Sequence, residues 1–311
     1  MLYVHLPLAP EEVDYLKQQV GDLELHLAQQ YSETDNRASC TSATLVLGNP
    51  PPEWLLAAPG LRWVQLSSAG FGQYTQLANR ELPFTITNSA DLFGVPVAET
   101  ALAGILALLR GLPELILDKE QRKWEGTELR PRLSTLTGKK VVVLGTGSIG
   151  GTFRRLLEGF NCTVESMGRH EDADFRGLQD LDARLPGADV VVATLPDTPQ
   201  TRDMFNRERI ALLSTTCIFV NVGRGSLVDE AALLERLTAG TLGGAVLDVT
   251  RHEPLADDDP LWAAPRTILT QHSGGGAQEE NRKIIDRFLM NYALFRAGKP
   301  LKYRVDLEQG Y

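Results

Sequence analysis

The stretch Lys140-Val141-Val142-Val143-Leu144-Gly145-Thr146-Gly147-Ser148-Ile149-Gly150 decides the fold. It begins as an apolar strand and runs into a Gly-x-Gly-x-x-Gly turn, after which Phe153 to Phe160 follow helical spacing. At such a corner Gly145 permits a tight turn, Gly147 lets backbone approach a pyrophosphate, and Gly150 lets helix and strand pack closely. Because the helix N-terminus offers N–H groups to phosphates, the stretch predicts a nicotinamide dinucleotide site. The alternative is a glycine turn in a plain α/β fold.

A regular alternation of strands and helices surrounds this corner. Short apolar runs that are typical of buried strands recur along the chain, and helical patterns separate most of them. These candidate strands are Val141–Leu144, Thr163–Ser166, Val190–Thr194, Ile218–Val222, Gly244–Leu247 and Thr267–Leu269. The alternation predicts an α/β fold with a doubly wound parallel sheet of the Rossmann type and helices on both faces.

The first ~95 residues predict a smaller α/β unit. Its candidate strands are Leu2–Leu6, Thr44–Gly48, Trp63–Leu66 and Phe84–Thr87, and its candidate helices are Pro10–Val20 and Trp54–Ala58. A last helical stretch, Glu279 to Arg296, follows the completed second sheet, so it is expected to pack back on the first unit. We therefore expect a smaller α/β domain from residues 1–95 and 277–311 and a dinucleotide-binding domain from residues 96–276.

A long apolar helical pattern runs from Val97 to about Trp124. It predicts one long helix. This helix is either a core helix or a domain connector that carries dimer contacts, and the sequence does not separate the two interpretations.

Composition limits the classes of function. The chain has 311 residues, is 43% hydrophobic and carries a net charge of -9, which argues against binding to nucleic acid or to an anionic membrane surface. Its cysteines are scattered, as suits a reducing compartment, and its N-terminus has no cationic signal region. The most apolar run, Ala101 to Leu109, is too short to span a bilayer. We expect a cytoplasmic protein without a metal site, because its histidines form no cluster with metal-ligand spacing.

The corner after the second strand of the dinucleotide domain bears on the choice of cofactor. An NAD site carries an acidic residue there to hold the ribose 2′-OH. Here the strand Cys162–Met167 is followed by Gly168 and Arg169, and an arginine can pair with a 2′-phosphate. This favours NADP over NAD. The alternative is that Arg169 is a solvated loop residue and Glu165 serves the ribose.

Charged side chains follow the last three strands. Asn221-Val222-Gly223-Arg224-Gly225-Ser226 ends one strand, Leu247-Asp248-Val249 ends the next and leads to His252-Glu253-Pro254-Leu255, and Thr270-Gln271-His272-Ser273 ends the last. Ligands bind at the carboxyl edge of such sheets. Taken singly, the arginine could be a surface ion pair, the glutamate a turn residue and the histidine a structural one. Together, after a dinucleotide loop, they favour a functional site.

With these motifs the chain resembles the D-isomer-specific 2-hydroxyacid dehydrogenase family. The resemblance rests on the glycine loop, Leu195-Pro196-x-Thr198-Pro199-x-Thr201, Asn221-x-Gly223-Arg224-Gly225, Asp248-Val249-x-x-x-Glu253-Pro254-Leu255, His272 and Val97-Ala98-Glu99. It spans nearly the whole chain, although the first ~90 residues match mainly in layout. Two features depart from the pattern. Gln271 stands where many relatives have proline before the histidine, and the connection from Glu253 to His272 is short.

The resemblance implies a role for each matching position. Arg224 would hold the substrate carboxylate, His272 would be the general acid of reduction, and Glu253 would pair with His272. The smaller domain would be a flavodoxin-like substrate-binding domain, and its loop Ser68-Ala69-Gly70 would offer backbone N–H groups to the same carboxylate. The cofactor groove would be lined by Gly145, Gly147, Ser148, Ile149, Gly150, Arg169, Thr194, Leu195, Pro196, Val222, Gly223 and Asp248, with Asp248 on the nicotinamide carboxamide. Phe71, Tyr74 and Trp124 either shape the substrate side or pack in the core.

The expected activity is reduction of a small 2-keto acid to the D-2-hydroxy acid, with NADP (or NAD) as cofactor. An arginine at the ribose corner, here Arg169, is similar to the pattern of the glyoxylate/hydroxypyruvate reductase branch, so glyoxylate and hydroxypyruvate are the expected substrates. Relatives are commonly dimers, and a homodimer is expected. Two alternatives stay open. One is a phosphite-type dehydrogenase, and the other is a cofactor-sensing regulatory protein of the C-terminal binding protein type.

Overall fold

The computed structural model describes residues 1–169, 171 and 173–308. The chain forms two compact units: Met1–Phe93 joined by the described residues from Ala277 onward, and Gly94–Gly276. The sequence predicts these divisions after residues 95 and 276. The two units are called the terminal unit and the central unit below.

The N-terminal part of the terminal unit alternates strands with helices. Its elements are β1 Leu2–His5, α1 Pro10–Val20, β2 Leu25–Leu27, α2 Glu33–Ser42, β3 Leu45–Gly48, α3 Pro52–Leu56, β4 Trp63–Gln65 and β5 Thr85–Thr87. All strand pairs are parallel and the sheet order is β2-β1-β3-β4-β5. This is the flavodoxin-like order, which confirms the predicted fold of this unit.

The central unit carries a larger parallel sheet. Its elements are α4 Gly94–Leu109, α5 Leu112–Gln121, α6 Gly126–Leu129, β6 Lys140–Leu144, α7 Ser148–Leu157, β7 Thr163–Met167, α8 Leu178–Arg184, β8 Val190–Ala193, α9 Arg207–Leu212, β9 Ile218–Asn221, α10 Glu230–Thr238, β10 Gly244–Leu247 and β11 Thr267–Leu269. The sheet order is β11-β10-β9-β8-β6-β7. Every residue of β8, β9 and β10 is buried, so both faces of the sheet are covered, as a doubly wound fold requires.

The last helix, α11 Glu280–Arg296, belongs to the terminal unit and packs on its first helix, α1. Its apolar side chains join one face of the sheet, where the ring of Phe288 stacks on that of Trp63 with centroids 4.9 Å apart. The opposite face carries Tyr3, Val46 and Val64 in a separate cluster. Alternate residues of each strand thus enter two cores, which fixes the register of the strands.

The long helix predicted from Val97 to Trp124 is wrong. The helix breaks between Leu109 and Leu112, and its two parts, α4 and α5, bend by 64°. Gly111 lies at the break with φ +63°, a left-handed conformation that glycine adopts without steric cost. The apolar pattern continues through the break, so periodicity could not reveal it.

The sequence interpretation also missed β2 and α2. β2 is short, and α2 is polar, with only Asn36 and Cys40 buried. Ser32 precedes helix α2 and caps it, because its hydroxyl accepts a hydrogen bond from the Asp35 amide at 3.3 Å. A short edge strand and an exposed helix give little hydrophobic periodicity, which explains the omission.

No single helix in the described part of the chain combines the length and apolar character needed to cross a membrane. The bent pair α4 and α5 would reach both by length and composition alone.

Candidate active site

The carboxyl ends of the central strands lie in register along one edge of the sheet. Leu144 pairs with Ala193, Ala193 with Asn221, Asn221 with Leu247, and Leu247 with Leu269. The loops that follow therefore all start at this edge. It carries the glycine loop, Thr194, Val222, Asp248 and the segment that leads to His272. The chain order reverses between β6 and β8, and such a switch point is where open α/β sheets bind ligands.

The glycine loop joins β6 to α7. An added Cβ at Gly150 would lie 2.0 Å from the carbonyl oxygen of Gly145, so this position requires glycine for close packing. An added Cβ at Gly147 would meet no atom within 4 Å. Open space thus lies beside the backbone of the loop, next to the first N–H groups of α7, which have no partner within the helix. The loop therefore fits the pyrophosphate of a dinucleotide.

The residues predicted to line the cofactor groove after β8 and β9 lie together. An added Cβ at Gly223 would lie 2.5 Å from the carbonyl oxygen of Leu195, so the two segments are in close backbone contact. The amide of Thr194 donates to Leu144 O at 3.0 Å, and that of Val222 donates to Ala193 O at 3.0 Å. Pro196, which follows Leu195, accepts a hydrogen bond at its carbonyl oxygen from the Thr201 hydroxyl at 2.6 Å.

The corner after β7 lies against the glycine loop, because an added Cβ at Gly168 would meet the side chain of Thr146 at 2.9 Å. The next residue, Arg169, is exposed. The alternative ribose ligand, Glu165, accepts a hydrogen bond from Arg184 Nε at 2.9 Å, so its carboxylate is already paired.

An acid that the sequence interpretation did not consider, Asp174, also lies near this corner. Its carboxylate accepts hydrogen bonds from the Ser166 amide at 2.7 Å and the Ser166 hydroxyl at 2.8 Å. Burial alone would raise the pKa of Asp174, but these hydrogen bonds and the charge of Arg154 hold the pKa below its ordinary value. The carboxylate is thus committed to β7 and α7.

Asp248 is 4% exposed and organises the loop that bears His272. Its Oδ1 accepts hydrogen bonds from the Thr270 hydroxyl at 2.6 Å and from the Gly274 amide at 2.9 Å. Its carbonyl oxygen accepts from the amide of His272 at 2.5 Å. A structural role for Asp248 therefore stands beside the predicted contact with the cofactor.

Glu253 and His272 form a hydrogen-bonded pair. The imidazole Nδ1 donates to Glu253 Oε2 at 2.6 Å, and Glu253 Oε1 accepts from the amide of Thr250 at 3.0 Å. The side chains of His272 and Glu253 are 49% and 36% exposed, so the pair lies at the surface of the unit. Because Nδ1 is engaged, Nε2 is the ring nitrogen that can exchange a proton with a ligand.

The backbone at Gln271 explains the residue found there. Gln271 has φ +53° and His272 has φ +55°. The ring of proline fixes φ near about −65°, so this loop conformation excludes a proline at position 271.

Arg224 is half-buried, and its neighbours hold it in place. Its Nη1 donates to Gly223 O at 2.6 Å. Asn221 holds the turn from Asn221 to Arg224, a role that the sequence did not indicate. Its Oδ1 accepts a hydrogen bond from the Gly223 amide at 3.1 Å, and its Nδ2 donates to Arg224 O at 2.9 Å. Burial alone would raise the pKa of Asp197, but Arg202 and the charge of Arg224 contribute to keeping it below its ordinary value. Arg224 therefore has a carboxylate nearby within its own unit.

A cavity of about 410 Å³ adjoins the Glu253–His272 pair. Its wall is mainly apolar, and its polar lining residues are Asp248, Thr250, Glu253, Gln271 and His272. The lining residues are Leu247, Asp248, Thr250, Glu253, Pro254, Leu255, Trp262, Leu269, Gln271 and His272. A cavity of this size lies within the range of about 300–1,000 Å³ that is usual for small-molecule sites.

The predicted substrate loop Ser68-Ala69-Gly70 belongs to the terminal unit, where it follows β4. Nearby, Phe71 and Tyr74 are buried in the core of this unit, so the core interpretation applies to both. Trp124, in contrast, is 98% exposed and packs in no core. Among the described residues, no group of three or more histidine, cysteine, aspartate and glutamate side chains could hold a metal ion.

A glycine loop on a parallel sheet and a Glu–His pair on the same edge define a dinucleotide-binding oxidoreductase as the class of protein. Comparison with known families agrees. The family model described as "D-isomer specific 2-hydroxyacid dehydrogenase, NAD binding domain" matches residues 102–274. The chain belongs to the D-isomer specific 2-hydroxyacid dehydrogenase family.

Named relatives and solved structures extend the match over most of the chain. The glyoxylate/hydroxypyruvate reductase A of Arabidopsis thaliana is 31% identical over 246 residues, which cover 78% of each protein. The hydroxyphenylpyruvate reductase of Plectranthus scutellarioides is 31% identical over 254 residues, 80% of each. A D-isomer specific 2-hydroxyacid dehydrogenase from Xanthobacter autotrophicus, solved with NADPH and MES, superposes with a TM-score of 0.81 at 28% identity and full coverage of both chains.

Proposed function

We propose that this protein reduces a small 2-keto acid, of the glyoxylate or hydroxypyruvate kind, to the D-2-hydroxy acid with NADPH. The observation that carries the proposal is the 2.6 Å hydrogen bond from His272 Nδ1 to Glu253 at the sheet edge that also bears the glycine loop. The names of the similar reductases support the choice of substrate and favour an enzyme over a cofactor-sensing regulatory protein.

The side chains divide the work of reduction. The bound nicotinamide would supply the hydride. His272 holds a proton on Nε2 and donates it to the carbonyl oxygen of the substrate, while Glu253 orients the imidazole through the hydrogen bond at Nδ1. Arg224 and the amides of the Ser68–Gly70 loop bind the substrate carboxylate, since a guanidinium fork matches the geometry of a carboxylate.

For the cofactor, Arg169 is proposed to select NADPH by pairing with its 2′-phosphate. Support comes from the acids around this corner: Glu165 is paired with Arg184, and Asp174 is bonded to Ser166. Neither carboxylate is then offered to a ribose 2′-OH. Asp248 is proposed to contact the nicotinamide carboxamide.

We also propose a homodimer in the cytoplasm. The free cysteines Cys40, Cys162 and Cys217 suit a reducing compartment. Support for the dimer comes from α5, none of whose residues is buried although the helix carries Leu112, Leu115, Ile116 and Leu117. Exposed apolar faces of this kind mark interaction sites.

The test is a substrate panel with purified protein. Glyoxylate, hydroxypyruvate and hydroxyphenylpyruvate are each offered with NADPH or NADH, and loss of the nicotinamide absorbance is followed. The expected result is turnover of at least one of the first two, faster with NADPH. Phosphite with the oxidised cofactors tests the phosphite-type alternative. Absence of turnover with every 2-keto acid would refute the proposal.

A further inference from the structure

The substrate loop of the terminal unit is fastened at its start by Asn49. Asn49 Oδ1 accepts a hydrogen bond from the Ser67 amide at 3.1 Å, and Asn49 Nδ2 donates to Ser68 Oγ at 3.0 Å. Ser68 Oγ donates onward to the carbonyl oxygen of Gly70 at 2.6 Å. One side chain therefore holds the beginning of the loop directly and its end through Ser68.

Two carbonyl groups of the loop are held by the dipeptide that follows the neighbouring strand. The Ser89 amide donates to Ser68 O at 3.0 Å, and Asn88 Nδ2 donates to Ala69 O at 2.8 Å. Asn88 is only 9% exposed, and its own amide donates to Tyr303 O at 3.0 Å. This dipeptide is thus a fixed support for the loop.

Planar peptides carry this constraint to the opposite side of the chain. In a trans peptide the C=O and N–H bonds point in opposite directions, so fixing Ser68 O and Ala69 O also fixes the N–H groups of Ala69 and Gly70. Both N–H groups point away from Asn88 and Ser89. Within the described ranges of the chain, neither donates to a protein acceptor. Successive free N–H groups held in one orientation form a cradle for an anion.

We propose that Asn88 and Asn49 are positioning residues for substrate binding. They hold the loop so that the N–H groups of Ala69 and Gly70 accommodate the carboxylate of the 2-keto acid. The inference rests on the proposed function and adds to it the side chains that build the anion cradle. Neither asparagine contacts the substrate, and each acts through the backbone of the loop.

The experiment compares two variants of Asn88 with a matched control. Asn88→Asp keeps the shape of the side chain but removes the donor to Ala69 O, and Asn88→Ala removes the whole amide. The control is Asn36→Ala, because Asn36 is also buried in the terminal unit and its Nδ2 donates to Ala28 O at 2.9 Å and to Tyr31 O at 3.3 Å. All three variants lose buried hydrogen bonds, so their thermal stabilities provide the common reference.

The expected result is a split between KM and kcat. The loop binds the carboxylate equally well in the ground state and in the transition state. Weakening this contact therefore raises KM for the 2-keto acid with little change in kcat. One hydrogen bond predicts a rise of about tenfold in both Asn88 variants, and KM for the cofactor stays unchanged. Asn36→Ala keeps the wild-type KM. Should the Asn88 variants fail to fold, Asn49→Ala, at a half-buried position, is measured in the same way and is expected to raise KM.

The outcomes separate this inference from the proposed function. Turnover by the wild-type protein tests the function alone. If the wild type is active and the Asn88 variants raise KM no more than Asn36→Ala does, the positioning role is overturned and the function stands. A crystal structure of Asn88→Ala gives a readout without catalysis: the peptide between Ala69 and Gly70 is expected to rotate, and an unchanged peptide would overturn the inference.

Discussion

His272 reaches the sheet edge in a backbone conformation that few side chains adopt. Gln271 and His272 have φ values of +53° and +55°, a region that costs a non-glycine residue about 1–2 kcal/mol. The hydrogen bonds from the His272 amide to Asp248 O and from its Nδ1 to Glu253 offset this strain. The orientation of the imidazole is therefore set by contacts with residues about twenty positions away in the chain.

The first prediction concerns the proton donor. His272→Ala should lower kcat by about 10²–10⁴-fold, the usual contribution of a positioned acid, while the affinity for the cofactor is retained. The measurement is steady-state turnover together with a cofactor titration. His252→Ala is the control, because His252 is exposed on the same segment as Glu253. Turnover by His272→Ala at the wild-type rate would contradict the assignment.

A second prediction at this scale concerns Arg169. Arg169→Ala should raise KM for NADPH about 10- to 100-fold, since charge-assisted hydrogen bonds to the 2′-phosphate are lost, and should leave KM for NADH nearly unchanged. Arg207→Ala serves as the control, because Arg207 is an exposed arginine of the same unit that pairs with Glu235. Equal changes of KM for both cofactors would contradict the proposal that Arg169 binds the 2′-phosphate.

At the scale of elements, the start of α7 combines glycines that do different work. Gly150 is needed for packing, because an added Cβ would lie 2.0 Å from Gly145 O. Gly147 faces open space, and an added Cβ at the next glycine, Gly151, would lie 3.9 Å from Thr146 O, an ordinary contact. The structure thus separates a glycine needed for packing, Gly150, from Gly147, which faces open space, and from Gly151, which has room for a side chain.

These differences give the third prediction. Gly150→Ala should destabilise the protein by about 1–3 kcal/mol through overpacking. Gly147→Ala should keep wild-type stability but weaken NADPH binding, because its Cβ enters the space beside the pyrophosphate. Gly151→Ala, the control, should bind NADPH normally and gain up to about 1 kcal/mol of helix stability. Denaturant unfolding and cofactor titration measure both properties. Normal binding by Gly147→Ala would be inconsistent with the proposed cofactor position.

At the scale of the whole molecule, the apolar side chains of α5 are exposed to solvent. Ile116 is 59% exposed and Leu117 is 55% exposed. We predict that Ile116→Glu converts a dimer to a monomer in sedimentation or light-scattering measurements, because a buried unpaired charge disfavours an apolar interface. Leu56→Glu is the control, at an exposed leucine of the terminal unit. A wild-type monomer at all concentrations, or a variant that remains dimeric, would exclude α5 as the interface.

At this scale the sequence predicted the parallel sheets well, because their buried strands are short runs of valine, isoleucine and leucine between clear helical patterns. It failed where the local pattern was weak or misleading. β2 and α2 are too polar or too short to be recognised, and the apolar pattern from Val97 onward hides the break at Gly111. Glycine is tolerated in helices as well as at their ends, so its presence alone could not place the break.

In the candidate active site, too, the sequence predicted some features and left others to the structure. Gly145, Arg224, Glu253 and His272 were named from the sequence because their spacing forms motifs around strand ends. The 2.6 Å contact of Glu253 with His272, the role of Asn221, and the support of the Ser68–Gly70 loop by Asn49 and Asn88 required the structure. Single asparagines carry no periodic signal, and their partners lie on other strands.

The sequence by itself determined the class of the protein: alternating apolar runs specify parallel sheets, and a glycine pattern at a strand end specifies a dinucleotide site. These are local properties, set by neighbours within a few residues. Only the tertiary structure decided which groups share the sheet edge, because strand register brings together residues that are distant in the chain. Register joins Leu144, Ala193, Asn221 and Leu247 into one edge, and it places Asn49 and Asn88 on either side of the Ser68–Gly70 loop.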